Sequence, residues 1–182
     1  GVDLMVCPEQ TISGYPLQDK AANPDVLMTS KKGLDYLVEK SKDRKTAVMV
    51  GIPEKDEDGH VYNAVYIIDQ GTLSEPIYKQ HLPNHDVFDE KRIYTAGPRT
   101  EPIEFRGKLI GVPICEDAWH PDVIADLVEK GAQAIISPNW SPHYTGKHHD
   151  RINDVLKQRI ANEGNTVPML YVNAVGGQDE IV

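Results

Sequence analysis

Residues 108–137 read KLIGVPICEDAWHPDVIADLVEKGAQAIIS. An apolar run ends at Cys115. A segment with Pro121 at its start and Gly131 at its end follows, and a second apolar run covers 132–137. Proline is favoured at the first helical position and glycine just past the last. The stretch is therefore strand, helix 121–130, strand. Two strands joined in this way lie parallel in one sheet, which sets the fold class as α/β.

Working outward, five more β-type runs flank this unit: 2–7, 46–52, 61–68, 76–79 and 168–175. They are rich in Val and Ile and bounded by Gly, Pro, Asn or Asp. The runs at 2–7, 108–115, 132–137 and 168–175 are almost continuously apolar, the pattern of strands covered on both faces. VYNAVYII alternates more, and Asp69-Gln70-Gly71 after it signals a hairpin. Residues 24–42 place Leu27, Leu34, Leu37 and Val38 on one helical face. Residues 147–163 do the same with Ile152, Val155, Leu156 and Ile160 before Gly164. The segment 80–100 has no period and is long for a connection, which marks it as functional or disordered.

Composition narrows the function classes. With 182 residues the chain is long enough for one well-buried domain. The 19 basic and 28 acidic side chains give a net charge of −9, against a nucleic-acid surface. No apolar run approaches the ~18 residues of a membrane span. Two cysteines without a Cys-x-x-Cys pair point to a reducing, cytoplasmic setting rather than a disulfide framework. The chain opens without Met in a strand-like run and closes just after a Gly-Gly turn, so 1–182 is expected to be a single domain within a longer protein.

Several motifs are eliminated. There is no G-x-G-x-x-G, and His148 follows Gly146-Lys147 where a phosphate-binding loop needs Ser or Thr. His148-His149-Asp150 lacks metal-ligand spacing, because neighbours on a helix point about 100° apart; a solvated helix start accounts for it. Two apolar strands finish alike, in MVCPE (5–9) and PICED (113–117). Ligands in α/β sheets bind beyond the carboxyl ends of strands, so Glu9 and Cys115 share a candidate crevice with Lys79 at the end of PIYK. By position alone, each also has a plain reading: Cys115 as a small core residue, Glu9 and Lys79 as solvated loop residues. Together they form a nucleophile, a general base and a cation able to favour thiolate and steady an oxyanion. Such a cation would offset the two acids beside the cysteine.

PEQTISGYPLQD (8–19), KQHLPNHDVFDEKRIYTAG (79–97), GVPICEDAW (111–119) and SPNWSPHYTGKHHDR (137–151) resemble, in order, the blocks of the nitrilase-like carbon–nitrogen hydrolases. Within that family the similarity is to the glutaminase domains of glutamine-dependent NAD synthetases. The resemblance implies a four-layer α-β-β-α sandwich lacking some terminal strands. It also implies a Glu9–Lys79–Cys115 triad with Glu90 as a second glutamate. Substrate contacts fall on Tyr15, Phe88, Glu116, Ser141 and Lys147, with Glu116 on the α-amino group of glutamine and Lys147 on its carboxylate. His85 stands where the family's LPNY has Tyr. Cys7 matches no catalytic position and is assigned to the core. The implied reaction is amide hydrolysis through a thioester, supplying ammonia to a synthetase domain of the same parent chain. ATP and Mg belong to that domain and no cofactor to this one; a homo-oligomer is expected. A free-standing amidase or nitrilase, or an inactive scaffold, is the alternative.

Overall fold

The computed structural model describes residues 1–157 and 167–177. Two sheets form. The first contains β1 (Leu4–Val6), β2 (Ala47–Lys55), β3 (Val61–Asp69), β4 (Thr72–Leu73) and β5 (Ile77–Tyr78). The second contains β6 (Ile103–Phe105), β7 (Lys108–Gly111), β8 (Ala134–Asn139) and β9 (Met169–Asn173). The helix α2 (Pro121–Glu129) joins β7 to β8, which pair in parallel at Ile110–Ala134, as the strand–helix–strand pattern requires.

Alternation along each strand divides the core into layers. On β2 and β3, Ala47, Met49, Val65 and Ile67 face Ile110 and Ile136 of the second sheet and Val112 and Ile114 of the segment that follows β7. The intervening residues Val50, Ile52, Ala64, Tyr66 and Ile68 pack against Leu34 of α1 (Pro24–Ser41). On the far side, Val123, Ile124 and Leu127 of α2 cover Ile135 and Met169. The order is thus helix, sheet, sheet, helix. The side chain of Asn23 caps α1 by accepting from the Asp25 N–H at 2.8 Å.

Several expectations are corrected. β1 and β9 close the two sheets at their edges and are not covered on both faces: Met5 is 50% and Leu170 48% exposed. The doubly covered strands are β2, β3 and, as expected for 132–137, β8. The strand in 108–115 stops at Gly111, since Pro113 has no N–H for a ladder. The hairpin after β3 closes on β4, a strand the sequence pattern did not reveal. The helix beginning at Lys147 is α-helical only to Asp150 (α3) and π-helical over Arg151–Lys157; the rest of 147–163 lies outside the described residues. Cys7 is half-buried against the Leu34 layer. No helix among the described residues is long and apolar enough to cross a membrane.

Candidate active site

The chain leaves β1 and crosses β2 at Gly51, where a Cβ would stand 2.5 Å from the backbone nitrogen of Gln10. Only glycine permits that approach, and it brings Glu9 in between the two sheets. The Glu9 N–H donates to the carbonyl of Asn139 at the end of β8 at 3.4 Å. Its carboxylate accepts from Asn63 Nδ2 on β3 at 2.7 Å and from the Trp140 N–H at 3.1 Å. Lys79 follows β5 directly. Its N–H donates to the Asn63 carbonyl at 2.9 Å, and its own carbonyl accepts from the Gly97 N–H at 2.8 Å. The returning loop therefore clamps it. Lys79 Nζ lies 2.8 Å from Glu9 Oε1 and 3.0 Å from Glu90 Oε1. Tyr15 OH donates to that same Glu90 oxygen at 2.8 Å.

Cys115 opens a 3-10 turn, Cys115–Trp119, at φ +48. A positive φ is uncommon outside glycine and tends to gather at functional sites. Cys115 is 4% exposed. Burial pushes its pKa well up and Glu9 pushes it further, while Lys79 and the Trp140 N–H pull it down without prevailing. Lys79 thus favours thiolate as expected but does not offset what opposes it: burial outweighs its pull first and Glu9 second. Burial opposes the Lys79 charge, but Glu9 and Glu90 hold the ammonium well above its ordinary value. Burial raises Glu90 to about 7 against the pull of Lys79. Its Oε2 is buried with no hydrogen-bond partner among the described residues.

Neither acid that follows the cysteine in sequence pairs with it. Asp117 turns away and accepts backbone N–H groups from Ile114 at 3.0 Å, Gln80 at 3.1 Å and His81 at 2.7 Å. Burial nevertheless raises it to about 6. Glu116 reaches toward two imidazoles, with Oε1 3.5 Å from His120 Nε2 and 3.8 Å from His85 Nε2.

A cleft of ≈ 420 Å³ opens over the sulfur, lined by His85, Phe88, Cys115, Glu116, Ser141 and Lys147 among others. That size suits a small polar substrate. Lys147 Nζ lies 4.3 Å from the centre of the Trp119 ring and 4.9 Å from that of Tyr144, and burial followed by Arg151 lowers its pKa. Tyr15 and Glu90 line an adjoining cavity of ≈ 230 Å³, which shares Phe88 with the cleft. All ten residues singled out in the sequence thus gather around one region. His148 and His149 are exposed at the helix start.

Sequence reasoning missed Asn63, Asp117, Trp119 and the backbone of Trp140. Asn63 had a signal, a lone amide inside the apolar run VYNAVYII; a buried amide must find partners. Asp117 had none, because its partners at Gln80 and His81 lie more than thirty residues away.

The profile of the family described as Carbon-nitrogen hydrolase matches residues 1–182. The glutamine-dependent NAD(+) synthetase of Rhodobacter capsulatus is 39% identical over 180 residues, 99% of this chain and 32% of that relative. The chain therefore spans about one third of the length of this curated relative. Among solved structures, glutamine-dependent NAD+ synthetase from Acinetobacter baumannii in complex with adenosine diphosphate superposes with a TM-score of 0.86 at 28% identity, over 99% of this chain and 33% of that one. An amidase from Nesterenkonia sp. gives 0.81 at 19% identity over 100% and 66%, a likeness of fold.

Proposed function

The chain belongs to the carbon–nitrogen hydrolase family, and from that premise we propose that it hydrolyses the side-chain amide of glutamine through a Glu9–Lys79–Cys115 triad. The observation that carries this reading is the sealed contact of Lys79 with Glu9 and Glu90 beneath a cysteine that opens into a cleft.

A thiol held above its ordinary pKa needs a base at the moment of attack. Glu9 takes the proton as Cys115 Sγ bonds to the carboxamide carbon. Lys79 and a backbone N–H at the start of the 115–119 turn stabilise the oxyanion. Glu9 then gives its proton to the departing nitrogen, ammonia leaves, and a thioester remains. Water that loses a proton to Glu9 attacks this carbonyl, glutamate departs, and the thiol is restored. Glu90 and Tyr15 hold Lys79 in place throughout. Glu116 receives the α-ammonium of glutamine, Lys147 its carboxylate, and Phe88 and Ser141 line the path between them. The relatives' names and threefold greater length support a further assignment: the ammonia passes to an ATP-dependent synthetase domain of the parent protein.

Supplying the protein with glutamine, simple aliphatic amides and nitriles tests the substrate. A clear preference for glutamine is expected, and equal turnover of acetamide would overturn it in favour of a general amidase. A thiol-reactive glutamine analogue is expected to label Cys115 and to be blocked by glutamine. Absence of labelling in the folded protein would overturn the nucleophile assignment and leave a scaffold.

A further inference from the structure

Beside the cleft, the rings of His81 and His120 stack with centroids 3.7 Å apart and planes 5° apart. Asp122 completes the group: one ligand atom from each of the three lies within 4.8 Å of the others. Two neutral imidazoles and a carboxylate, with a place left for water, are the donor set of a four-coordinate zinc-type site. We propose that His81, His120 and Asp122 bind a divalent transition-metal ion of the zinc class, and that the bound ion weakens glutamine binding through Glu116.

Two observations support the site. The first is anchoring. The His81 N–H donates to Asp117 Oδ1 at 2.7 Å, and the His120 N–H donates to the Asp117 carbonyl at 3.2 Å. One buried residue thus fixes the backbone of both imidazole ligands. His120 caps α2 and Asp122 lies in its first turn, so those two are held by the same helix start. The second is access: His81 and His120 line an open cleft of ≈ 630 Å³ that also contains Glu116 and His85. Both imidazoles are half-buried, and ligation requires the stacked rings to turn about Cβ–Cγ until each plane contains the ion.

The link to substrate is geometric. His120 Nε2 lies 3.5 Å from Glu116 Oε1. A dication on that imidazole draws the Glu116 carboxylate and competes with the ammonium of glutamine. This second half rests on the reading of the cleft given above; ion binding itself does not.

Zinc is titrated against a chromophoric indicator, and cobalt is followed by visible absorption, in wild type, Cys115→Ala, His81→Ala and Asp122→Asn. One ion is expected to bind wild type and Cys115→Ala alike, about tenfold or more weaker in each of the other two variants. Asp122 is exposed, so Asp122→Asn keeps the test valid if His81→Ala fails to fold. Equal affinity in Asp122→Asn and wild type, or a cobalt spectrum that requires the thiol, overturns the site. With the ion bound, KM for glutamine is expected to rise several-fold at unchanged kcat, and the rise to vanish in Asp122→Asn. An unchanged KM overturns the coupling and leaves the ion site. Absence of glutaminase activity overturns the functional reading alone, because the indicator titration is read without turnover.

Discussion

Lys79 Nζ and Glu9 Oε1 meet at 2.8 Å with both side chains wholly buried. The desolvation of two charges in such a place is offset only when every partner is in position. Removing one partner leaves the other charge stranded, at a cost of about 3–5 kcal/mol. Lys79→Met is therefore expected to lower unfolding free energy by that amount in denaturant titration. Lys79→Arg keeps the charge, but a planar fork cannot occupy the place of a compact ammonium. It is expected to cost less stability and still reduce glutamine turnover by about a thousandfold, an assigned loss of about 4 kcal/mol in transition-state binding. Turnover within tenfold of wild type would remove Lys79 from the mechanism.

Glu90 carries a pH signature. Burial, resisted by Lys79, raises it from 4.5 to about 7. The folded protein thus binds a proton that the unfolded chain releases over that window. Its contribution to stability is fully present below about 4.5 and is lost as pH rises through about 7, with a slope of at most about 1.4 kcal/mol per pH unit. The stability difference between wild type and Glu90→Gln is expected to change between pH 5 and 7 and to level off outside. Tyr15 donates to the ionised form, so Tyr15→Phe is expected to move the midpoint above 7. A difference curve flat across pH 5–7 would mean that Glu90 stays ionised beside Lys79.

The sequence made some of these features legible and hid others for physical reasons. Proline and glycine at the ends of 121–131 fixed the βαβ unit, and the matching strand ends at Glu9 and Cys115 marked the crevice, because local chemistry dictates both. β6 was invisible: three residues give too short a pattern, and its two-residue turn is Arg106-Gly107, both at positive φ, where asparagine would have announced it. The exposure of Met5 depends on what lies beside an edge strand, which an apolar run does not record. The resting state of Cys115 was misjudged for a similar reason. Its pKa follows first from burial and then from the charges around it, and the Glu9–Lys79 pair among them joins residues seventy positions apart.

Asp117 is expected to matter for folding more than its neighbour Glu116. Its buried carboxylate receives three backbone N–H groups, from Ile114, Gln80 and His81. Asparagine would offer one acceptor and turn an N–H₂ toward those donors, leaving buried groups unsatisfied at about 1–3 kcal/mol. Asp117→Asn is expected to lower Tm by roughly 2–12 °C, given 2–4 °C per kcal/mol in a chain of this size. Glutamine turnover is expected to fall with it, since Gln80 and His81 directly follow Lys79. An unshifted Tm would show that the loop is held by other contacts.

The sulfur and the base make the sharpest test together, because one change should move two readouts in opposite directions. Burial and then Glu9 hold the Cys115 thiol above its ordinary value, which for a free cysteine is near ~8.5. Alkylation by iodoacetamide depends on thiolate, so in wild type it is expected to be slow at pH 8 and to climb only in strongly alkaline buffer. Glu9→Gln removes the negative charge that raises the thiol and frees Lys79 from one of its two partners. Both changes favour thiolate, so alkylation of the variant at pH 8 is expected to be faster than in wild type. Glutamine turnover is expected to fall by about a thousandfold or more, since no base remains to take the proton or return it to the leaving nitrogen. Slower alkylation in Glu9→Gln would mean that its carboxylate does not raise the thiol pKa. Preserved turnover would mean that another group serves as the base.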